Sequence, residues 1–146
     1  MKKQNLWQAA ITSMFVLAAC SVENDLAVHG AWIREAPPSA TVMAGYLVIE
    51  NSGSVPRQLL GATSTAFNRV QMHATVTAGD RTRMIHERSI DLPPGDVVVF
   101  EPGGRHLMLM DPQKELAAGA TVVISFLFDG DDQRDISFTV RRSIAD

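Results

Sequence analysis

The chain has 146 residues, and its 13 lysine and arginine residues against 16 aspartate and glutamate residues give a formal net charge of −3 at pH 7. This length suits one domain with a single core, and an acidic chain without a basic cluster excludes a typical nucleic-acid-binding protein. The single cysteine excludes an intrachain disulfide.

The N-terminal residues have the pattern of a secretory signal, with a basic start and a mostly apolar stretch from residue 6 to residue 19. That stretch is shorter than the roughly twenty apolar residues of a comfortable membrane span. Residues 17–20, Leu-Ala-Ala-Cys, resemble a bacterial lipoprotein box. We therefore expect removal of residues 1–19 and a lipid anchor at Cys20 on the periplasmic side. Because Ser21 follows the cysteine, we expect the outer rather than the inner membrane.

After a short tether over residues 20–26, brief apolar stretches alternate with turns rich in Pro, Gly, Asn and Asp. β-Branched and aromatic residues dominate VVISFLF at residues 122–128, as in half-buried strands. The only helical signal is a turn near residues 112–116. The pattern predicts an all-β sandwich or barrel over residues 27–146. The predicted strands cover residues 27–34, 44–51, 57–62, 69–77, 81–88, 96–101, 105–110, 121–129 and 134–141.

The segment from residue 69 to residue 88 predicts a β-hairpin around the turn TAGD. Placing a two-residue loop at Ala78-Gly79 puts His73 opposite Met84, close enough for both side chains to contact one ion. The same register places Gln71 opposite His86 on that face and Met72 opposite Ile85 on the other. A slip of one residue would reverse both faces, so this interpretation depends on the turn.

The stretch RHLMLM, residues 105–110, places a histidine and two methionines at every second position. In a strand, His106, Met108 and Met110 point to one face, and the two leucines point to the other. Methionine also fills irregular gaps in protein cores, so the pattern by itself does not distinguish packing from metal binding.

Four of these residues form a regularly spaced set: His73, ten residues, Met84, twenty-one residues, and then His106-x-Met108. In this spacing the chain resembles the periplasmic copper chaperone family PCu(A)C, whose hallmark is a His, a Met and a His-x-Met at these separations. The resemblance covers about residues 28–141 and includes the stretches HGAWIREAPP, AGYLVIEN and PGGRHLMLM.

The resemblance implies an all-β, cupredoxin-like antiparallel Greek-key β-sandwich that carries one copper ion. Thioether sulfur favours Cu(I) and imidazole serves both oxidation states of copper, whereas zinc, calcium and magnesium prefer other donors. The implied function is an extracytoplasmic chaperone that delivers Cu(I) to a membrane-associated acceptor, typically the dinuclear copper centre of cytochrome c oxidase. The implied ligands are His73, Met84, His106 and Met108, with His86 and Met110 as candidate auxiliary ligands.

The sequence fits other functions less well. A blue-copper electron carrier needs a Cys thiolate, and Cys20 is assigned to the lipid anchor. No Ser-His-Asp or Cys-His arrangement is evident in the spacing, so we do not expect an enzyme. A structural or adhesive β-sandwich lipoprotein explains Met72 and Met110 as core residues, but it does not explain the spaced set. Periplasmic copper buffering or resistance remains an alternative to delivery.

Overall fold

The computed structural model describes residues 26–142, which form ten β-strands and a short 3₁₀ turn at Asp129–Asp131. Buried and exposed residues alternate along most strands, as expected when one face covers a core and the other meets water. The strands are β1 (Leu26–Arg34), β2 (Val42–Asn51), β3 (Arg57–Thr63), β4 (Phe67–Ala78), β5 (Arg81–Glu87), β6 (Ile90–Leu92), β7 (Val97–Phe100), β8 (Arg105–Pro112), β9 (Thr121–Phe128) and β10 (Gln133–Arg141).

All ten strands belong to one hydrogen-bonded sheet, in the order β5-β4-β8-β7-β2-β1-β10-β9-β3-β6, with an additional pairing between β2 and β8. The buried apolar side chains form a single cluster to which every strand except β5 contributes. The sheet therefore folds over this common core as a sandwich with β5 and β6 at its two open edges, and the predicted all-β, cupredoxin-like Greek-key fold is confirmed. It is not purely antiparallel, because β1 pairs in parallel with β10, and β7 with β8.

Two local predictions differ from the structure. Strand β6 was not predicted, because three residues are too few to show a reliable period of alternation. The helical turn predicted near residues 112–116 is absent from the described chain. There Pro112 still pairs with Phe67, so pairing with β4 extends β8 through the proline, and Leu116 then packs into the core.

The β4–β5 hairpin has a different register from the predicted one. Its two-residue loop is Gly79-Asp80, so His73 lies opposite His86 and Met84 lies opposite Thr75. The backbone of the turn explains this register. Gly79 has φ +60°, and a type II′ turn requires glycine at its first central position, which Gly79 occupies only when the loop is Gly79-Asp80. The predicted pairing of His73 with Met84 is therefore wrong. Because the pairing partners change by two residues, each side chain keeps its predicted face.

Replacing Gly79 with alanine tests this turn. An L-residue in the left-handed region costs roughly 1–2 kcal/mol, and a Cβ at this position meets no neighbour within 4 Å, so backbone strain is the only expected effect. We expect the free energy of unfolding, measured in urea with an unchanged m-value, to fall by about that amount. Asp80→Ala in the same loop serves as the control. Equal stability of Gly79→Ala and the parent protein would contradict the turn assignment.

Candidate metal centre

The predicted ligands lie on the outer face of three neighbouring strands. His73 on β4 is opposite His86 on β5 and also opposite His106 on β8. The ring centroids of His73 and His86 are 5.4 Å apart, and those of His73 and His106 are 6.0 Å apart. Met108 follows on the same face of β8 opposite Gln71, and Met84 lies diagonally from His73 on β5.

The residues between these side chains point the other way. Leu107 and Leu109 of β8 and Met72 of β4 are buried in the core. The core therefore fixes the position of β4 and β8, whereas β5 is held by its pairing with β4 and by a bidentate ion pair between its last residue, Glu87, and Arg105 of β8. The division of RHLMLM into a core face and an outer face agrees with the sequence prediction.

The hydrogen bonds of His106 leave one ring nitrogen free. Its Nδ1 lies 3.1 Å from the carbonyl oxygen of Gly104. A carbonyl oxygen only accepts, so Nδ1 carries the proton and donates it in this bond. The neutral ring then has an unprotonated Nε2, the state that a metal ligand requires, and the bond to Gly104 fixes the orientation of the ring.

His73 has a similar arrangement with the two nitrogens exchanged. Its Nε2 lies 3.2 Å from the amide oxygen of Gln71, which accepts the Nε2 proton. Its Nδ1 is buried and has no hydrogen-bond partner among the described residues. Burial, followed by the neighbouring charges of His86 and His106, lowers the pKa of His73 below its usual value. The neutral ring therefore presents an unpartnered lone pair.

The methionines and His106 share a cavity of about 310 Å³, called here the site cavity. Met84, His106 and Met108 form one part of its lining, and Arg34, Val42 and Ala44 form another. The Met84 side chain is 64% exposed, which makes it the most accessible of the predicted ligands. The predicted ligand His73 and the auxiliary candidates His86 and Met110 are on the same face of the sheet but outside the described lining of this cavity.

Arg34 is the residue of this region that sequence reasoning did not place at the site. It lies opposite Ala44, which in turn lies opposite Met108, so the three side chains form a row across β1, β2 and β8. Because Ile33 is buried, alternation along β1 predicts that the next residue, Arg34, points outward. Only the pairing of β1 with β2 and of β2 with β8, which is not local in sequence, brings it to the cavity.

Some expectations fall outside this region. The predicted signal over residues 1–19 and the lipid anchor at Cys20 lie outside the described residues. Within residues 26–142, no helix is long and apolar enough to cross a membrane. The same part of the chain holds no group of three or more His, Cys, Asp or Glu side chains arranged for a metal ion. The donors that meet on this face are imidazole and thioether groups.

Comparison with protein families gives one matching description. Residues 26–140 match the family described as "Putative lipoprotein LpqE-like". A relative described as a putative lipoprotein of Leifsonia xyli subsp. xyli is 30% identical over 115 residues, which are 78% of this chain and 68% of that protein.

Solved structures with the same fold include two copper-bound proteins. The copper-bound PCuAC domain from PmoF2 superposes with a TM-score of 0.69 and 27% identity, over 81% of this chain and 93% of that domain. The solution structure of the Cu(I) form of DR1885 from Deinococcus radiodurans has a TM-score of 0.60 and 26% identity, over 79% of this chain and 77% of that one.

Proposed function

Because the chain belongs to the LpqE-like family of putative lipoproteins, within the PCu(A)C group, we propose that it is an extracytoplasmic copper chaperone. The observation that carries the proposal is the meeting of imidazole and thioether donors on one outer face of β5, β4 and β8. Two similar solved structures are described as copper-bound, which supports copper as the cargo.

The proposed ligands of one Cu(I) ion are His73, Met84, His106 and Met108. Thioethers are soft and neutral, and neutral imidazole binds copper well, so this donor set favours Cu(I) over zinc, calcium or magnesium. The unpartnered lone pair of His73 supports the assignment, because a buried nitrogen without a partner is costly unless a ligand completes it. His86 and Met110 remain candidate auxiliary ligands.

The exposure of Met84 supports delivery rather than storage. A ligand that is largely in solvent can be replaced by a donor from an acceptor while the less exposed His73 and His106 still hold the ion. The proposed acceptor is a membrane-associated copper protein, with the dinuclear copper centre of cytochrome c oxidase as the specific candidate. The proposed role is binding and transfer, without catalysis.

Mixing the Cu(I)-loaded protein with an apo oxidase copper domain tests delivery. We expect copper to move to the acceptor, which the absorption of the filled dinuclear centre reports after oxidation. Retention of tightly bound copper, with no transfer, would favour the alternative of periplasmic buffering or resistance. An oxidase assay of the loaded protein serves as the control, and turnover there would contradict a purely non-catalytic role.

We also propose that residues 1–19 are a signal peptide and that the mature protein is anchored on the periplasmic side through lipid at Cys20. A short tether over residues 20–26 would then hold the domain, residues 27–146, near the membrane surface. We expect the unsubstituted protein in the outer-membrane fraction. Replacing Cys20 with serine should shift it from the membrane fraction to the soluble fraction. Membrane retention of the variant would contradict this anchor.

A further inference from the structure

Arg34 forms no salt bridge with an acidic residue in the described part of the chain. Its Nε is buried and makes no hydrogen bond. Its guanidinium lies over the ring of Tyr46, 5.6 Å from the centroid, which supports the cation without accepting its N–H groups. A buried N–H donor without an acceptor is unfavourable, so a bound group that accepts hydrogen bonds from Arg34 would stabilise the protein.

The nearest acid in sequence is already engaged elsewhere. Glu35 accepts a hydrogen bond from the backbone N–H of Ala118 at 2.7 Å, and its second oxygen lies 3.4 Å from Nε of Arg142. It therefore leaves the Arg34 charge without a salt bridge, although both residues line the site cavity.

The surroundings of Arg34 favour an anion. Pro37, Val42 and Ala44 give the site cavity apolar walls, and charge interactions are stronger beside such walls than in bulk water. His106 and Met108 line the same cavity. A Cu(I) ion held by neutral ligands keeps its positive charge, so bound copper and Arg34 would both attract a negative group here.

We propose that the site cavity is a carboxylate-binding subsite organised by Arg34, and that its occupant is an aspartate or glutamate side chain of the copper-accepting protein. The guanidinium offers a planar fork of N–H donors that suits a carboxylate. This inference rests on the proposed delivery function. It adds that the acceptor presents an acidic residue beside its own copper ligands.

The position of the cavity explains why the acceptor, rather than a free anion, is the proposed occupant. The exposed Met84 lines it, so a group that enters there arrives beside the ligand that an acceptor can most readily replace. A carboxylate held by Arg34 would orient the acceptor while its donors take over the ion, and charge complementarity of this kind raises rates of association.

The test uses the Cu(I)-loaded full chain in detergent and pairs of short Met- and His-containing peptides that differ only by Glu or Gln. The Glu is placed in turn on each side of the copper ligands of the peptide. We expect transfer to the best Glu peptide to be about ten-fold faster than transfer to its Gln partner, as for one charge-assisted hydrogen bond. Arg34→Gln should bring this ratio close to one, and Arg34→Lys should retain part of it.

Arg83→Gln is the matched control, because it removes an exposed arginine on the opposite face of β5 and should leave the ratio unchanged. The proposal would be overturned if the parent protein transferred copper to the Glu and Gln peptides at equal rates. It would also be overturned if Arg34→Gln left the ratio of these two rates unchanged. Near-UV circular dichroism of each variant separates a specific effect from misfolding, since Trp32 packs 4.6 Å from Tyr46, centroid to centroid.

Titration with propionate, followed by Trp32 emission, identifies the source of the carboxylate. One outcome is that propionate binds in an Arg34-dependent way while copper moves to the Glu and Gln peptides at equal rates. That result would mean that a free anion occupies the cavity, and it would overturn the assignment of the occupant to the acceptor. Failure to transfer copper to either peptide contradicts the delivery function and the transfer role of the subsite. In that case the propionate titration alone decides whether Arg34 binds carboxylates.

Discussion

Replacing Met108 with leucine should lower the affinity for Cu(I) by at least about 100-fold, because loss of an outer hydrogen-bond partner alone usually costs 10–100-fold. Leucine has a similar volume, so we expect the folded state to lose less than about 1.5 kcal/mol. Competition with a Cu(I) chelator measures the affinity, and urea unfolding measures the stability. Met84→Leu should have the same effect on affinity with an even smaller effect on stability, because its side chain is 64% exposed.

Met110→Leu is the matched control for Met108→Leu. Both methionines lie on the outer face of β8, but Met110 is opposite Val42 and outside the described lining of the site cavity. We expect its replacement to change the affinity by much less than that of Met108. Equal losses in Met108→Leu and Met110→Leu would make Met110 a ligand as well, and unchanged affinity in both Met84→Leu and Met108→Leu would refute the proposed site.

Replacing Leu107 with alanine should destabilise the domain by about 2–5 kcal/mol, the usual range for a fully buried leucine. Leu107 has no exposed surface and belongs to the common core. It also separates His106 from Met108 on the strand, so the cavity that its truncation leaves lies directly beneath the proposed ligands. Urea unfolding of the apo protein gives the change in the free energy of unfolding.

Leu127→Ala provides the control for this truncation. Leu127 is 41% exposed on β9, and substitutions at such positions usually change stability by less than about 0.5 kcal/mol. A loss in Leu107→Ala no greater than in Leu127→Ala would contradict the assignment of Leu107 to a close-packed core. Added Cu(I) should recover part of the stability lost in Leu107→Ala, since a ligand of the native state stabilises it.

Alternation of residue types was enough to predict most strands and the outward direction of the proposed ligands. In β8 the leucines at 107 and 109 are buried and the residues between them face outward, as a period of two requires. The spacing from His73 to Met108 indicated a family, and the comparisons confirm it. Whether these residues bind copper in this chain stays a prediction.

The register of the β4–β5 hairpin and the position of Arg34 could not be derived from the sequence. Two loops were available in TAGD, and the choice depends on which residue takes the positive φ angle. Arg34 reaches the site cavity only through strand pairings between segments far apart in sequence. Local patterns determine which face a side chain occupies, whereas its neighbours across the sheet depend on the whole topology.

Strand β5 contributes nothing to the core, yet it carries the proposed ligand Met84, so the stability of the fold and the proposed binding of copper are thermodynamically separable. Local opening of an edge strand costs far less than global unfolding. With the proposed ligand set, fraying of β5 would therefore release the Met84 ligand of copper while the sandwich stays folded. Changes that strengthen the core would then raise the melting temperature without slowing the proposed release of copper.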